Sequence, residues 1–581
     1  MPPLFQRRHT TGETQFSDCI IPDTTVEGRP SIYLFIFVNP LSGDQQGNDL
    51  IQLPVQQFRL RRRPQVKVEI HNILDTQDRQ TGFEHILWIQ NMIRQNQLPP
   101  LPTIDHGVNC HYHPQYKQQQ KKIQGQCACF KTPTAMTRHI HVYSAGGDGT
   151  VMSVFDMLAQ YKIDSNIFYF SCVPFGTGND FSQVLGWGRT TKQTDILGSR
   201  LAHLESLLLE RLDHGEAARL DIWQLIMTCH DSGYVRRAGI QKRHKKNNND
   251  TTNSSSAWRS SVPSTDFDHY QRKSTNENPT SLERKMCSYV SIGVQGYVGS
   301  GFEQHRTSRR WANIWAYTIE GAKWLFYRKF PPITNFISQI VSYSPSIDEN
   351  HNHDGDDGDS ILLFFDGDND FRAKNKKMHS TDSNTSASPS PPSPSPSLYS
   401  KSIPTITKQP IELVIQNIPH IWGRQIDLWG GAKSGLEIVQ NRSGPTDATL
   451  WHPQRANDGH LELMAIGSMF SYIKKLANFR NHVSRVGQFG HPFKIEFKPP
   501  SPLSPSPPPP LSSSSSNEPK KFTNRYERDN IICIMCDGEF YEVKDPKEIC
   551  LQRFDQIWTL GRSDENHQSR LVRDEMQYYQ L

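Results

Sequence analysis

No run of apolar residues in this chain is long enough to cross a bilayer, and the amino-terminal stretch MPPLFQRRHTTGETQF has no apolar core of the kind a secretion signal needs. Those absences predict a cytoplasmic protein that meets membranes only transiently, at their surface. Cysteine is sparse: ten in 581 residues, scattered with neither a dense disulfide framework nor a paired zinc array, which fits a reducing compartment. The one C-x-x-C, Cys533 to Cys536, lies in IICIMCDGEF. That run reads as a strand, where positions three apart point to opposite faces, so two core cysteines are expected rather than two metal ligands. A net charge of +5 is too mild for a dedicated nucleic-acid binder, and that class is set aside. Neither G-x-x-x-x-G-K-[ST] nor the protein-kinase G-x-G-x-x-G with its lysine is present, which excludes the familiar nucleotide frames.

Only 35% of residues are hydrophobic, low for a compact enzyme, and the deficit concentrates in polar or proline-rich stretches. LPPLPTIDHGVNCHYHPQYKQQQKKIQGQ, KKNNNDTTNSSSAWRSS, HNHDGDDGDS, SASPSPPSPSPSLYS and PPSPLSPSPPPPLSSSSS read as long disordered insertions over 98–137, 242–283, 345–359, 372–409 and 498–527. The acidic cluster does not fit a calcium-sensor loop. Counted from Asp348, His353 stands where glycine is required and Asp359 where the bidentate glutamate belongs.

The remaining segments alternate. SIYLFIFVNP reads as a strand, followed by a helical stretch to about Arg63, the strand VKVEIHNI and a helix around GFEHILWIQNMI. Beyond the first insertion come the strand HIHVYSA, the helix TVMSVFDMLAQY, the strand IFYFSCVPF and a helix opening at Phe181. Such alternation predicts a parallel sheet with helices on its faces, whose ligands bind in the loops at the carboxyl ends of its strands. Three loops share that position: NPLSG (Asn39 to Gly43), GGDGT (Gly146, Gly147, Asp148, Gly149 and Thr150) and GTGND (Gly176, Thr177, Gly178, Asn179 and Asp180). Glycines let main-chain amides close around a phosphate chain, and the helix that follows aims its unpaired amides and positive dipole end at the same place. An aspartate fits an anion site once magnesium accompanies the nucleotide. Asp148 would then bind the ion, bind its waters, or accept the proton of an attacking hydroxyl.

GGDGT followed by PFGTGNDFSQVLGWG, with NPLSG upstream, resembles the catalytic domain of diacylglycerol kinases, more closely than that of the related sphingosine and ceramide kinases. RLDIWQL, CSYVSIGVQGYVGSGFEQHR, LVIQNIPHIWGRQIDLWG, NDGHLELMAIG and CDGEFYEV resemble, in order, the accessory domain of the same family, and each reads as a strand bounded by glycine turns. The expected fold class is therefore α/β plus β. An amino-terminal tail over 1–30 precedes a parallel-sheet nucleotide-binding domain over 31–215, a β-rich, sandwich-like accessory domain over 216–562 and a tail over 563–581. Where the family usually carries SIGVDA this chain has SIGVQG, so an expected aspartate is Gln295. Either the site is weakened or rearranged, or a neutral amide holds the same hydrogen bonds.

The resemblance implies an ATP- and Mg2+-dependent kinase that phosphorylates the free hydroxyl of 1,2-diacylglycerol to phosphatidic acid. The alternatives are a kinase for a sphingoid base or ceramide, or an impaired lipid- or partner-binding homologue. On this reading Asp148 positions metal and phosphate, and Asp458 or Glu462 of NDGHLE, placed at the cleft by the resemblance, is the base. The partner is diacylglycerol in a membrane surface, with no nucleic acid, and the proline-rich segments offer a site for a protein. RLRRRPQVK and RTSRRWANIWAY combine cations with aromatic or aliphatic residues in a way that suits an anionic interface.

Overall fold

In the computed structural model, which describes residues 20–42, 46–53, 55–102, 134–176, 179–191, 202–238, 279–307, 310–343, 360–365, 403–421, 428–432, 436–476, 483–490, 492–500, 525–564 and 567–578, the short apolar runs become strands of a mixed sheet. The amino-terminal part contains β1 (Ile20–Pro22), β2 (Ile32–Val38), β3 (Gln57–Leu60), β4 (Val66–Asn72), β5 (Ile140–Gly146) and β6 (Phe168–Pro174). Its helices are α1 (Gln46–Ile51), α2 (Thr76–Arg94), α3 (Asp148–Gln160), α4 (Asp180–Val184) and α5 (Ala202–Asp213). β4, β2, β5 and β6 lie side by side in that order and run parallel, while β3 and β1 extend the sheet antiparallel beyond β4. Every residue of β2 is buried because helices cover both faces. Phe35 and Phe37 pack with Phe83 and Ile86 of α2 and Val154 of α3, whereas Leu34, Ile36 and Val38 pack with Leu50 of α1 and Leu208 of α5.

One expected helix is corrected here. The stretch predicted to remain helical to about Arg63 holds only the single turn and a half of α1 and then the strand β3, whose Phe58 pairs with Val68 of β4. Pro54 cannot continue a helix, and QFRL offers an alternating edge that β4 needs.

The remaining strands are β7 (Gly215–Arg237), β8 (Ser281–Met286), β9 (Tyr289–Gly293), β10 (Ile337–Ser342), β11 (Ile361–Phe365), β12 (Thr405–Ile406), β13 (Glu412–Gln416), β14 (Val439–Gln440), β15 (His460–Ile466), β16 (Ser484–Gly490), β17 (Phe493–Phe497), β18 (Ile531–Cys536) and β19 (Glu539–Arg562). Most pair antiparallel, in two ranks. One runs β18, β9, β13, β15, β16; the other runs β8, β7, β19, β17, β10, β11; and the β18–β19 hairpin joins them. Facing side chains such as Trp223, Ile292, Ile340, Leu413, Leu463 and Ile549 close into one apolar cluster. The other face of the first rank is covered by α6 (Val294–Glu303) and α7 (Arg310–Phe326), which bring Tyr297 and Trp324 against Val414, Met464 and Met535. Cys533 belongs to this second cluster and Cys536 to the first, on opposite faces of β18.

VQGYVGSGFE, expected to continue a strand, is helical. β9 ends at Gly293, whose φ of +123° turns the chain away from the sheet, and α6 lies so close to β18 that a methyl group on Gly296 would overlap the carbonyl of Cys533. Strands Ser281–Met286 and Thr405–Ile406 and the turn of helix Arg525–Arg528 likewise occupy the edges of ranges predicted as insertions, while 103–133, 239–278, 344–359, 366–402 and 501–524 lie outside the described residues.

β7 and β19 form a long antiparallel ribbon, from Gly215 opposite Arg562 to Arg237 opposite Tyr541 with register shifts near Pro546 and Asp555, and the distal part of β19 lies parallel to β6 through Thr559 and Phe170. Asn417 knits this ribbon to the first rank. Its amide donates to the carbonyls of Asp221 (3.0 Å) and Cys287 (2.7 Å), and its oxygen accepts from the Trp223 indole (3.2 Å), all buried. Asn417→Leu leaves these groups unpaired and is expected to lower stability by about 2–4 kcal/mol in a chemical denaturation experiment; an unchanged midpoint would remove Asn417 from the framework.

Candidate functional site

The parallel register sets the loops beside one another. Val38 pairs with Ala145 and Gly146 with Pro174, so Asn39, the Gly146 turn and the Gly176 turn leave the same end of adjacent strands. The chain passes from β2 to β4 on one side and then returns to β5 on the other, which makes the β2/β5 boundary the point where the topology switches direction. Asn39 reaches across that boundary, donating from Nδ2 to Thr150 Oγ1 at 3.3 Å, while its own Oδ1 accepts the Leu41 amide at 3.0 Å.

Gly147 and Gly176 touch. A methyl group on Gly176 would stand 2.5 Å from the Gly147 Cα and 2.7 Å from Asn179 Oδ1, so only glycine permits this approach. Asn179, at φ +56°, folds its side chain over the turn, accepting from Gly176 N (3.1 Å) and donating to the carbonyls of Gly176 (2.8 Å) and Arg189 (2.7 Å). Asp148 opens α3 directly after Gly147 and spans to the next helix: its two carboxylate oxygens accept the amides of Asp180 and Phe181, each at 3.1 Å. Surrounding protein pushes the Asp148 carboxyl above its ordinary value, against the pull of the Phe181, Asp180 and Asn179 amides. Thr150 is buried against Gly146. Gly43, Thr177 and Gly178 lie outside the described residues.

Opposite Gly149 stands a residue that motif reading overlooked. A methyl group on Gly149 would meet Glu539 Oε1 at 3.6 Å, and Glu539 lines a cleft with Gly149, Ser153, Asp156, Arg284 and Tyr541. Glu539 is half-buried. Burial pushes its carboxyl up, but Arg237 (3.0 Å to Oε1), Arg284 (3.9 Å to Oε2) and the Tyr541 hydroxyl (2.5 Å to Oε2) outweigh that and hold it below the usual glutamate range. Its neighbour Asp537 is fully engaged elsewhere: the carboxylate accepts the amides of Cys287 (2.7 Å), Ser288 (3.1 Å) and Tyr289 (2.9 Å), and burial raises it to about 6. The signal was CDGEF itself, a tight-turn Asp-Gly at positive φ followed by an acid that begins the next strand.

Asp458 and Glu462 occupy a different environment. Asp458 is raised to about 6 by burial, and the charge of Asp221 adds to this. Glu462 sits buried in β15, with Oε1 accepting from Gln488 Nε2 at 3.0 Å and Oε2 without a hydrogen-bond partner. Burial, and then the charge of Asp458, push its carboxyl well above the ordinary value. Among the described residues no three His, Cys, Asp or Glu side chains gather into a metal cluster. A magnesium ion that shares its coordination with phosphates needs only one or two carboxylates, and half-buried Asp148 beside a glycine cradle fits that donor set.

Comparison with known proteins decides the family. The diacylglycerol kinase catalytic domain matches residues 107–216 and the diacylglycerol kinase accessory domain matches residues 285–504, more than half of the chain between them. The chain belongs to the diacylglycerol kinase family. Diacylglycerol kinase 2 of Arabidopsis thaliana is 35% identical over 88 residues, 15% of this chain and 12% of that protein. Diacylglycerol kinase 4 of the same plant is 24% identical over 204 residues, covering 34% and 32%, and diacylglycerol kinase 3 is 27% identical over 174 residues, covering 29% and 31%. The aligned parts thus span about a third or less of these relatives. Within this diacylglycerol kinase family member, Asp148 and the two glycine turns fall inside the catalytic match, whereas Asn39 precedes it and Glu539 follows the accessory match.

The burial of Glu462 has a measurable consequence. Its folded pKa lies above the ordinary 4.5, so the folded state loses stability as pH rises from about that value through the folded pKa. Glu462→Gln is expected to unfold at a higher temperature than the wild type at pH 8, with the gain vanishing near pH 4. A difference independent of pH would show that folding does not raise the pKa of Glu462.

Proposed function

We propose that this chain is an ATP-dependent diacylglycerol kinase that transfers the γ-phosphoryl group to the free hydroxyl of 1,2-diacylglycerol, giving phosphatidic acid. The observation that supports it most directly is the contact between the Gly147 and Gly176 turns with Glu539 facing Gly149: a cradle only glycine allows, beside a carboxylate held ionised. In this reading residues 31–215 hold the nucleotide and 216–562 form the accessory domain that carries the base. A protein partner for the proline-rich segments is no part of it.

Phosphoryl transfer asks the protein for alignment and charge neutralisation rather than covalent chemistry. The turn amides around Gly147 and Gly149, with the amino terminus of α3, bind the phosphate chain, and the Gly176 turn closes the cradle beside them. Magnesium, when bound with the nucleotide, supplies neutralisation of the phosphate charge, and Asp148 is the carboxylate that would share it. Glu539 accepts the proton of the acceptor hydroxyl at its carboxylate. Arg237 and Arg284 keep that carboxylate ionised, and Tyr541 fixes its orientation. Asp537, by binding three amides of the 287–289 segment, holds the hairpin that presents Glu539.

Purified protein with magnesium, labelled ATP and a panel of lipids should label diacylglycerol in preference to ceramide or sphingoid base; labelling of a sphingoid lipid alone would overturn the acceptor assignment. Glu539→Gln is expected to lower turnover by about 10²–10⁴-fold with ATP binding retained. Asp148→Asn should lose turnover as well, and Glu462→Gln should stay within a few-fold of wild type. If Glu462→Gln is the variant that fails, the base is misassigned. Because Glu539 must be ionised and its folded pKa lies below the ordinary 4.5, the acid limb of kcat/KM should fall only below about that pH. A limb near pH 6 or 7 would point to another group.

A further inference from the structure

α7 is inside out. Its one acidic residue, Glu320, is buried beneath Gly301 and paired with Lys323 (2.5 Å) and His305 (3.4 Å), while its solvent face is apolar. Ile314, Trp315, Ile319, Leu325 and Phe326 stand exposed at helical spacing, with Trp315 at 65% and Phe326 at 74%, and Tyr327 continues the stripe at 88%. A 17-residue helix carries this stripe over about 25 Å, a contiguous apolar surface of a kind that folded proteins seldom leave to water.

Charge surrounds the stripe asymmetrically. Between Glu303 and Phe330 the sequence holds six cations, Arg306, Arg309, Arg310, Lys323, Arg328 and Lys329, against two acids, Glu303 and Glu320, which pair with Arg306 and Lys323. In sequence, Arg309 and Arg310 stand at the start of α7 and Arg328 and Lys329 just past its end, an arrangement that suits an amphipathic helix lying flat among phosphate headgroups. The position is also significant. Tyr317, on the protected side of α7, meets the ring of Phe302 edge-on with centroids 5.6 Å apart, and Phe302 in turn meets Phe540, the residue after Glu539, at 6.5 Å. The helix that turns its apolar face outward therefore borders the proposed site with its other face.

We infer that the outer face of α7 docks on an anionic lipid bilayer, sinking Trp315, Ile319 and Phe326 into the headgroup boundary and bringing the cleft beside Glu539 to the membrane surface. The inference rests on the reading of a lipid as the acceptor and supplies the surface from which that lipid is taken.

Vesicle flotation without ATP tests it on the full chain. The wild type is expected to float with phosphatidylcholine vesicles containing about a third phosphatidylserine and to bind pure phosphatidylcholine about tenfold less tightly. The double variant Trp315→Ser/Phe326→Ser should bind the anionic vesicles about tenfold or more weakly. It should keep the wild-type unfolding temperature and its turnover on a short-chain diacylglycerol dissolved as monomers. Equal flotation of the variant and the wild type overturns the proposal. So does equal affinity for both vesicle types, or a wild-type dimer that the double substitution dissolves, which would assign the face to a second copy of the chain. A chain that shows the vesicle contrast yet phosphorylates no lipid sinks the kinase reading and leaves the docking face standing; turnover on the monomeric lipid without the vesicle contrast does the reverse.

Discussion

Everything in the candidate site depends on two backbone turns that touch. The Gly147 and Gly176 turns meet at a distance that leaves no room for a side chain, and the Asp148 carboxylate spans the same gap by accepting the first amides of the helix beyond. The contact is possible because β5 and β6 are parallel and paired to their last residues, which delivers both turns at one height. Burial of β2 on both faces fixes the third loop beside them. An anion placed there would meet main chain from two directions, a far better geometry than one helix terminus alone provides.

The second requirement is a carboxylate that comes from the far end of the chain. The β7–β19 ribbon supplies it. The turn at Asp537 and Gly538, both at positive φ, reverses the strand so that Glu539 is the first residue to emerge beside Gly149. Two acids two positions apart thereby acquire opposite roles. Asp537 is consumed by three amides and is structural, while Glu539 keeps partial access to the cleft and is surrounded by arginines. The comparison with Glu462 follows the same electrostatic logic: a buried carboxyl with one neutral partner favours its proton, so it is poorly suited to accept another.

How much of this was legible in the sequence varies with the range of the cause. Strand β2 and the two glycine turns could be read because doublets such as Gly146–Gly147 and all-apolar runs such as IYLFIFV are local signals. The strand β3 was mistaken for helix because its state is decided by pairing with β4, not by its own four residues. The helix α6 was mistaken for strand because its glycines, unfavourable in an isolated helix, are required by the close approach to β18. Glu539 was not singled out because CDGEF announces a turn followed by an acid but does not reveal that the hairpin tip faces Gly149. In basic RLRRRPQVK, Arg59 and Lys67 spend their charge internally, on Asp23 and, for Lys67, also on Glu69, while Arg61 and Arg62 stay exposed.

Gln295, at the position where the resemblance leads one to expect aspartate, is best understood through the charges around it. Its side-chain oxygen accepts the Tyr289 hydroxyl at 3.2 Å, and its backbone amide donates to the buried Glu412 carboxylate at 3.3 Å. Tyr289 already feels the charges of Asp180, Asp148 and Asp537. A further carboxylate at position 295 would be buried next to Glu412 and within the field of three other acids, an arrangement whose desolvation and repulsion only a firmly bound cation would offset. The amide keeps the bond to Tyr289 without that charge. If Asp148 holds the cation as proposed, it does so with the phosphates that arrive with the ion, and metal and nucleotide affinity should be more tightly linked here than in a site with an extra carboxylate.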